Sequence, residues 1–233
     1  MGKLFDELSE DYRIKEGLKT CINCGTCTAI CPAAEFYRYD PRKIVDTVQR
    51  KDDAAIEDLL KSDTIWYCGE CMSCVTRCPR GNGAGLVIMA LRNLSIKKGY
   101  FTESEKGRQV FPLTRILTGN ILNYGYCVHP KSFKWEDHQE SGPVWKWHTE
   151  HLEDSLARQG AHYMGDEGVL RRIPQESLDE LKAIFDVTGG TERIETVERC
   201  SHAKAVEMGM TDEEYFRHTF EYCSDKHFNN EGQ

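Results

Sequence analysis

The cysteines constrain this chain more than any other feature of its sequence. Eleven cysteines occur among 233 residues, and eight of them form two copies of the pattern C-x2-C-x2-C-x3-C-P. The second copy lies 47 residues after the first (68 − 21 = 47). The first copy contains Cys21, Cys24, Cys27 and Cys31, and the second contains Cys68, Cys71, Cys74 and Cys78. Any fold of this chain must therefore accommodate two similar cysteine loops.

The cysteines are expected to bind metal rather than to form disulfides. The sequence begins without the apolar region of a secretory signal, and its longest apolar run, residues 86–91, is far shorter than the about 20 residues of a membrane helix. We therefore expect a cytoplasmic protein without membrane insertion. Thiols stay reduced in the cytoplasm, and clustered cysteines there usually hold metal. The formal net charge of −8 argues against a nucleic-acid partner.

The repeated pattern resembles the runs with which bacterial ferredoxins hold two [4Fe-4S] clusters. Cysteines spaced by two residues let one tight loop reach three corners of a cube, while the fourth lies too far round to close it. In those ferredoxins the fourth cysteine ligates the other cluster. The resemblance implies a first cluster on Cys21, Cys24, Cys27 and Cys78. It implies a second cluster on Cys68, Cys71, Cys74 and Cys31.

Two alternatives to this ligand assignment remain open. Each cluster would bind to the four cysteines of its own motif, or the motifs would hold structural zinc ions. Zinc sites typically use two well-separated C-x2-C pairs, a spacing that differs from four cysteines in each run.

Three cysteines lie outside the motifs, namely Cys127, Cys200 and Cys223. Since they share no spacing, they are expected to be small buried side chains. The alternative is a third metal site with a histidine such as His129 or His202.

The spacer between the motifs predicts helices and no strands. Asp40 and Pro41 indicate a helix start, and Asp52 precedes a second helix. After the second motif, a glycine-rich turn at 81–85 leads into an apolar helix that ends at Gly99.

The C-terminal half has a different character. Pro112 indicates another helix start, whereas the segment 123–174 lacks a clean period and contains Trp135, Trp145 and Trp147. This segment is predicted either to contact a partner or to pack over the domain. Further helices are expected at 178–185, ending at Gly189, and after Thr211.

Five basic side chains surround the second motif in the sequence: Arg77, Arg80, Arg92, Lys97 and Lys98. We expect either a solvated basic face, or a group that docks an acidic partner or tunes the second cluster.

Several strings resemble the C-type subunits of heterodisulfide reductases, which are α-helical ferredoxin-like proteins. These are CINCGTCT at 21–28, WYC at 66–68 and RCPRG at 77–81. EKGRQ at 105–109 and YGYCVHP at 124–130 are similar to C-type subunits of sulfur-oxidising heterodisulfide-reductase-like complexes. The resemblance implies a mainly α fold, with a dicluster domain and its N-terminal helix in residues 1–100. Residues 101–233 are expected to form a helical, loop-rich, partner-binding extension.

In that family the C-type subunit relays electrons between a flavin-bearing A-type subunit and a B-type subunit with CCG motifs. This chain has no adjacent cysteine pair, so we expect an electron-transfer subunit without a catalytic site. The alternatives are a free ferredoxin-type carrier, and a structural or regulatory iron-sulfur protein without a redox role.

Overall fold

The architecture was obtained from a computed structural model that describes residues 3–132, 134–137, 141–161 and 163–225, the last five by their backbone alone. Within these ranges the chain is helical and contains no β-strand. The predicted mainly α fold is thereby confirmed. No helix in the described residues is long and apolar enough to cross a membrane.

The helices of the N-terminal half are α1 (Lys3–Glu10), α2 (Tyr12–Gly17), α3 (Thr26–Ala29), α4 (Ala33–Phe36), α5 (Pro41–Gln49), α6 (Asp53–Lys61), α7 (Ser73–Arg77) and α8 (Ala84–Lys98). Those of the C-terminal half are α9 (Val110–Tyr124), α10 (Gly142–Glu150), α11 (Leu152–Arg158), α12 (Gln175–Thr188), α13 (Gly190–Glu207) and α14 (Asp212–Asp225). Short 3-10 turns lie between several of them.

The spacer helices begin and end where the local signals predict. The Asp40 carboxylate accepts hydrogen bonds from the backbone N–H groups of Arg42 and Lys43, and Pro41 occupies the first helical position of α5. Asp52 caps α6 in the same way, through the N–H of Ala54. Because such caps satisfy the free N–H groups of a first turn, they fix helix starts locally.

Helix α8 is the central helix of the N-terminal half. Val87, Ile88 and Leu91 are fully buried, and α8 packs against α2, α5 and α6. Apolar residues surround this helix on nearly every side, as expected of a helix inside a core. It ends at Gly99, whose φ of +76° suits a glycine better than any other residue.

Helix α1 is held to this core at both of its ends. The Asp53 carboxylate accepts from the N–H groups of Leu4 and Phe5, at 3.1 and 3.0 Å. Near the other end, Glu7 pairs with Lys97 and Lys98 at 2.9 and 2.5 Å. The lysines hold the pKa of Glu7 below its usual range, through the Lys98 hydrogen bond first. These contacts join α1 to α6 and α8, the helices on either side of the second cysteine motif.

The chain divides into two compact units. The first consists of residues 1–110 and 196–212, and the second consists of residues 111–195 and the residues from 213 onward. Within the first unit, Lys204 of α13 is buried and pairs with Glu103 at 3.6 Å. The predicted division at residue 100 stays a prediction, but a segment far along the chain contributes to the first unit.

The second unit contains helices that the sequence did not predict. Helices α10 and α11 lie inside the segment 123–174, and His148 Nδ1 lies 2.6 Å from Ser155 Oγ between them. Helix α12 begins near the predicted position and ends at Gly189. Its apolar residues are not buried, since Ile184 is 54% exposed and Val187 is 84% exposed.

Candidate metal centre

The two cysteine loops have the same backbone conformation, at the same offset of 47 residues as their sequences. Asn23 and Glu70 both adopt positive φ, at 58° and 53° (23 + 47 = 70). Gly25 and Met72 do so two residues later, at 82° and 58°. A short helix follows directly in each loop, α3 at Thr26 and α7 at Ser73. The internal repeat is therefore a repeat of structure as well as of sequence.

The repeated turns direct polar groups at the cysteine sulfurs. The N–H of Asn23 donates to Cys21 Sγ, and the N–H of Glu70 donates to Cys68 Sγ, both at 3.4 Å. Thr26 Oγ1 lies 3.3 Å from Cys24 Sγ. At the equivalent position, Ser73 Oγ lies 3.5 Å from Cys71 Sγ. Such contacts stabilise thiolates, which are the form of cysteine that binds iron.

The first cavity is surrounded by cysteines from both motifs. Its walls, which enclose about 410 Å³ of unfilled space partly open to solvent, include Cys21, Cys24, Cys27 and Cys78. Half of the remaining wall residues are apolar, and the other half are Thr26, Asn82 and two arginines, Arg42 and Arg80.

The second cavity is of similar size, about 390 Å³, and its walls also combine the motifs. They include Cys31, Cys68, Cys71 and Cys74, together with Cys27. Its other wall residues are uncharged: Pro32, Ala33, Tyr39, Pro41, Gly69, Met72, Ser73, Gly85 and Ile88. The structure thus places Cys78 with the first three cysteines, and Cys31 with the three of the second motif.

Cys27 lines both cavities, so the two cavities are adjacent. The backbone of α8 approaches from the other side, where the N–H of Gly85 donates to Cys74 Sγ at 3.3 Å. A β-carbon at Gly85 would lie 3.1 Å from Met72 Sδ and 3.6 Å from Cys74 Sγ. A glycine therefore allows the first turn of α8 to contact the second cavity.

The thiols differ in exposure and in acidity. Cys24 and Cys71 are exposed, while the other six motif cysteines are half-buried. The Thr26 hydroxyl, followed by the Thr26 N–H, lowers the pKa of Cys24, and Ser73 lowers the pKa of Cys71 in the same way. Burial raises the pKa of the Cys27 and Cys68 thiols. Each cavity thus has one outward-facing cysteine and several inner ones.

The residues around both cavities fit [4Fe-4S] clusters. Each cavity is bordered by at least four thiols and few other ligand groups, and thiolates are the ligands of such clusters. Backbone N–H groups donate to three of the sulfurs, and such hydrogen bonds stabilise the thiolates that ligate a cluster.

Polar clamps outside the cysteines hold the first cavity in place. Asn82 is buried, accepts from the N–H of Lys19 at 2.5 Å and donates to the carbonyl of Thr20. Gln49 accepts from the N–H of Cys21 at 2.6 Å and donates to its carbonyl. These clamps connect the first motif to the loop after Cys78 and to α5. The sequence showed Asn82 only as part of a glycine-rich turn.

The predicted basic group around the second motif is dispersed in the structure. The Arg92 guanidinium is 16% exposed and donates to the carbonyls of Ile65 and Cys68 and to Glu70, at 2.7, 2.6 and 2.6 Å. Lys97 and Lys98 pair with Glu7, as described above. Arg80, which follows the second motif in the sequence, lines the first cavity. Arg92 is therefore a structural clamp on the second loop, and Arg80 belongs to the first site.

Neither Cys127 nor Cys200 is among the wall residues of the two cavities. The expectation of a buried side chain is wrong for Cys127, which is exposed. Cys200 is half-buried beside Gly99, and the side chain of Cys223 lies outside the described residues. His129 is buried and stacks on Tyr124 with ring centroids 3.8 Å apart, while His202 pairs with Asp212. Among the described side chains, no three His, Cys, Asp or Glu converge on one point as a single metal ion requires. The motif cysteines do not converge on one point either, because their sulfurs lie around the walls of the two cavities.

Comparison with known protein families identifies a domain in the same region. Residues 17–82 match the family described as the 4Fe-4S dicluster domain. This range contains both motifs and every clamp residue described above, apart from Arg92. The region that holds both cysteine loops is therefore similar to a 4Fe-4S dicluster domain.

The curated relatives are C-type subunits of heterodisulfide reductases. The chain is 45% identical over 87 residues to the C-type subunit of the ferredoxin:CoB-CoM heterodisulfide reductase of Methanosarcina acetivorans, a match that covers 37% of this chain and 34% of the relative. It is 42% identical over 127 residues to the second C-type iron-sulfur subunit of the CoB-CoM heterodisulfide reductase of Methanocaldococcus jannaschii, covering 54% and 59%. For the corresponding C-type iron-sulfur subunit of Methanopyrus kandleri, the identity is 36% over 122 residues, covering 52% and 60%.

The chain spans between about a third and three fifths of the length of these relatives. For two of the three relatives, the match covers more than half of this chain. The predicted resemblance to the C-type subunits of heterodisulfide reductases is confirmed at this level.

Proposed function

We propose that this chain is an iron-sulfur subunit that relays electrons through two [4Fe-4S] clusters within a heterodisulfide-reductase-like complex. The observation that carries the proposal is the grouping of eight cysteines around two cavities that share Cys27. The dicluster domain and the homologous C-type subunits support it.

The proposed ligands are those of the exchanged arrangement. The first cluster is assigned to Cys21, Cys24, Cys27 and Cys78, and the second to Cys68, Cys71, Cys74 and Cys31. The walls of the two cavities support this assignment, because Cys78 lines only the first and Cys31 only the second. When bound, the clusters supply one-electron redox chemistry, and the protein sets their potentials through hydrogen bonds, charge and burial.

The chain's own residues position the two sites and limit access to them. The clamps of Asn82, Gln49 and Arg92 hold the loops, and the backbone N–H groups stabilise the thiolates. The inner cysteines keep the two sites adjacent, while Cys24 and Cys71 are exposed on their outer edges. Clusters bound at the two sites would both border Cys27, so an electron would have only a short distance to cross between them.

The proposed partners are a flavin-bearing A-type subunit and a CCG-bearing B-type subunit. A role in sulfur oxidation, as in the sulfur-oxidising type of complex, is proposed from the strings at 105–109 and 124–130. The homologues support membership of a complex, whereas the sequence resemblance alone supports the two partners and the pathway. A cytoplasmic location is likewise proposed from cysteine usage.

The ligand assignment is tested by matched single substitutions. Cys78→Ser is expected to impair the cluster bound by the first motif, and Cys31→Ser the cluster bound by the second. Cys200→Ser serves as the control, since this half-buried cysteine lines neither cavity. Iron content and electron paramagnetic resonance spectra of the anaerobically purified variants are the measurements. If each serine variant instead damages the cluster of its own motif, the exchanged arrangement is wrong.

The relay is tested by anaerobic purification of the tagged chain from its native cells. Recovery with a flavoprotein and a CCG-bearing protein is the expected result. Recovery alone, with two redox-active clusters, indicates a free ferredoxin-type carrier. Clusters without a reversible redox transition indicate a structural or regulatory protein.

A further inference from the structure

Tyr39 is a buried residue of the second site that neither motif contains. It lies between α4 and α5, directly before the Asp40 cap, and only 4% of its surface is exposed. Its ring meets Tyr67 edge-on, with centroids 6.2 Å apart. The backbone on both sides of Tyr39 is fixed. The N–H of Tyr39 donates to the carbonyl of Tyr37, and the next residue, Asp40, caps the start of α5. The side chain is therefore held in one place, on the wall of the second cavity.

The hydroxyl of Tyr39 has no hydrogen-bond partner at bonding geometry among the described residues. A buried hydroxyl without a partner is unfavourable, so such groups are rare unless a ligand or another group satisfies them. A tyrosine hydroxyl is an O–H donor at neutral pH. Because Tyr39 and Cys68 border the same cavity, this hydroxyl can donate a hydrogen bond to the Cys68 thiolate.

The first site has no equivalent of this residue. Position 86, 47 residues after Tyr39, is a leucine, and the described walls of the first cavity contain no tyrosine. Other contacts to the cysteine sulfurs are common to both sites and repeat at the offset of 47. They come from Asn23 and Thr26 in the first site and from Glu70 and Ser73 in the second. Tyr39 therefore distinguishes the second site from the first.

We propose that Tyr39 donates its hydroxyl to the Cys68 sulfur when the second cysteine set holds a [4Fe-4S] cluster, and thereby raises that cluster's potential. The inference rests on the proposed function. Reduction adds negative charge to the cluster and its sulfurs, so a hydrogen bond to one of them favours the reduced state. The contact makes the second cluster easier to reduce than the same cluster without Tyr39.

The test is a redox titration of the intact protein followed by electron paramagnetic resonance. Tyr39→Phe removes the hydroxyl and retains the ring, so the Tyr67 contact persists. We expect the reduction equilibrium constant of one cluster to fall about tenfold, which for one electron is about 59 mV. The constant of the other cluster should not change.

Three matched variants identify which cluster responds. Ser73→Ala removes the hydroxyl beside Cys71 and should shift the same cluster as Tyr39→Phe. Thr26→Val removes the hydroxyl beside Cys24 and should shift the other cluster. Tyr37→Phe is the control within the same aromatic group, because Tyr37 stacks on Tyr67 at 4.5 Å and lines neither cavity.

The outcomes separate the inference from the proposed function. Wild-type potentials in Tyr39→Phe overturn the Tyr39 inference while the two clusters and the relay stand. An equal shift in both clusters, or the same shift in Tyr37→Phe, also overturns it, because the effect would then be general packing. A wild-type protein without two clusters refutes the proposed function itself. The proton of the Tyr39 hydrogen bond can also be observed directly. In Tyr39→Phe, one strongly coupled exchangeable proton should disappear from the electron paramagnetic resonance spectrum of the reduced second cluster.

Discussion

Substituting Gly17 by alanine should destabilise the first unit and its first site together. A β-carbon at Gly17 would lie 2.8 Å from Leu86 Cβ and 3.0 Å from the carbonyl oxygen of Gly83. The contact to Leu86 is about 0.7 Å shorter than the closest ordinary carbon contact (3.5 − 2.8). Both neighbours belong to the backbone or to the base of a side chain, so neither can rotate away, and α2 must move from α8.

The cost follows from two terms. Overpacking of this kind costs about 1–3 kcal/mol, and the hydrogen bond from the Gly83 N–H to the Gly17 carbonyl, now 2.8 Å, contributes about 1 kcal/mol. A loss of roughly 2–4 kcal/mol corresponds to a fall in Tm of about 5–15 °C. The same displacement pulls on Lys19 and its bond to Asn82, so the first cluster should be released before the second.

Anaerobic thermal unfolding, monitored by circular dichroism and by the visible absorption of the clusters, measures both effects. Gly119→Ala is the control, because Gly119 lies inside α9 with nothing within 4 Å of its added β-carbon. In that open position alanine should stabilise by about 0.5–1 kcal/mol, through helix propensity alone. A Gly17→Ala protein that melts like the wild type would refute the steric argument. Release of the second cluster first would refute the link to the first site.

Three further predictions concern the clamps and the ion pairs. Asn82→Ala should destabilise the first site by about 1–3 kcal/mol, because it leaves two backbone groups without their partner, and should speed loss of the first cluster to a chelator. Arg92→Lys should speed loss of the second cluster instead, since the single nitrogen of an ammonium cannot reach the three acceptors that three guanidinium nitrogens reach. Unchanged kinetics would contradict the clamp. Glu7→Gln should cost under about 1 kcal/mol at neutral pH. The pKa of Glu7 is lowered in the folded protein, so its ion pairs contribute to the free energy of unfolding above about pH 4. This contribution is lost as the pH falls through the folded pKa. The acid denaturation curves of Glu7→Gln and of the wild type should therefore converge.

The helices of the spacer could be predicted because their signals are local. An aspartate before the first turn satisfies the N–H groups of that same turn, and a glycine at Gly99 adopts positive φ without steric cost. Helices α10, α11 and α13 were not predicted because their sequences lack a clean apolar period. The apolar period of α12 predicted the helix correctly but gave no information on whether that face is buried.

The role of the basic side chains shows the same limit at the site. Proximity in sequence placed Arg80 and Arg92 together with the second motif. The fold directs Arg92 inward onto the carbonyls of its own loop and places Arg80 on the wall of the first cavity. Since the chain passes from one site to the other at the fourth cysteine, neighbours in sequence become members of different sites.

The sequence by itself determined that two similar thiol loops exist, that helices connect them, and which cysteines are available. These properties depend on spacing and capping, which act over a few residues. Only the tertiary structure decided which cysteines share a cavity, that Cys27 borders both, and that Tyr39, Asn82 and Arg92 complete the two sites. Those contacts join residues that lie up to 63 positions apart. No local pattern encodes them, because they arise only when the loops pack around α8.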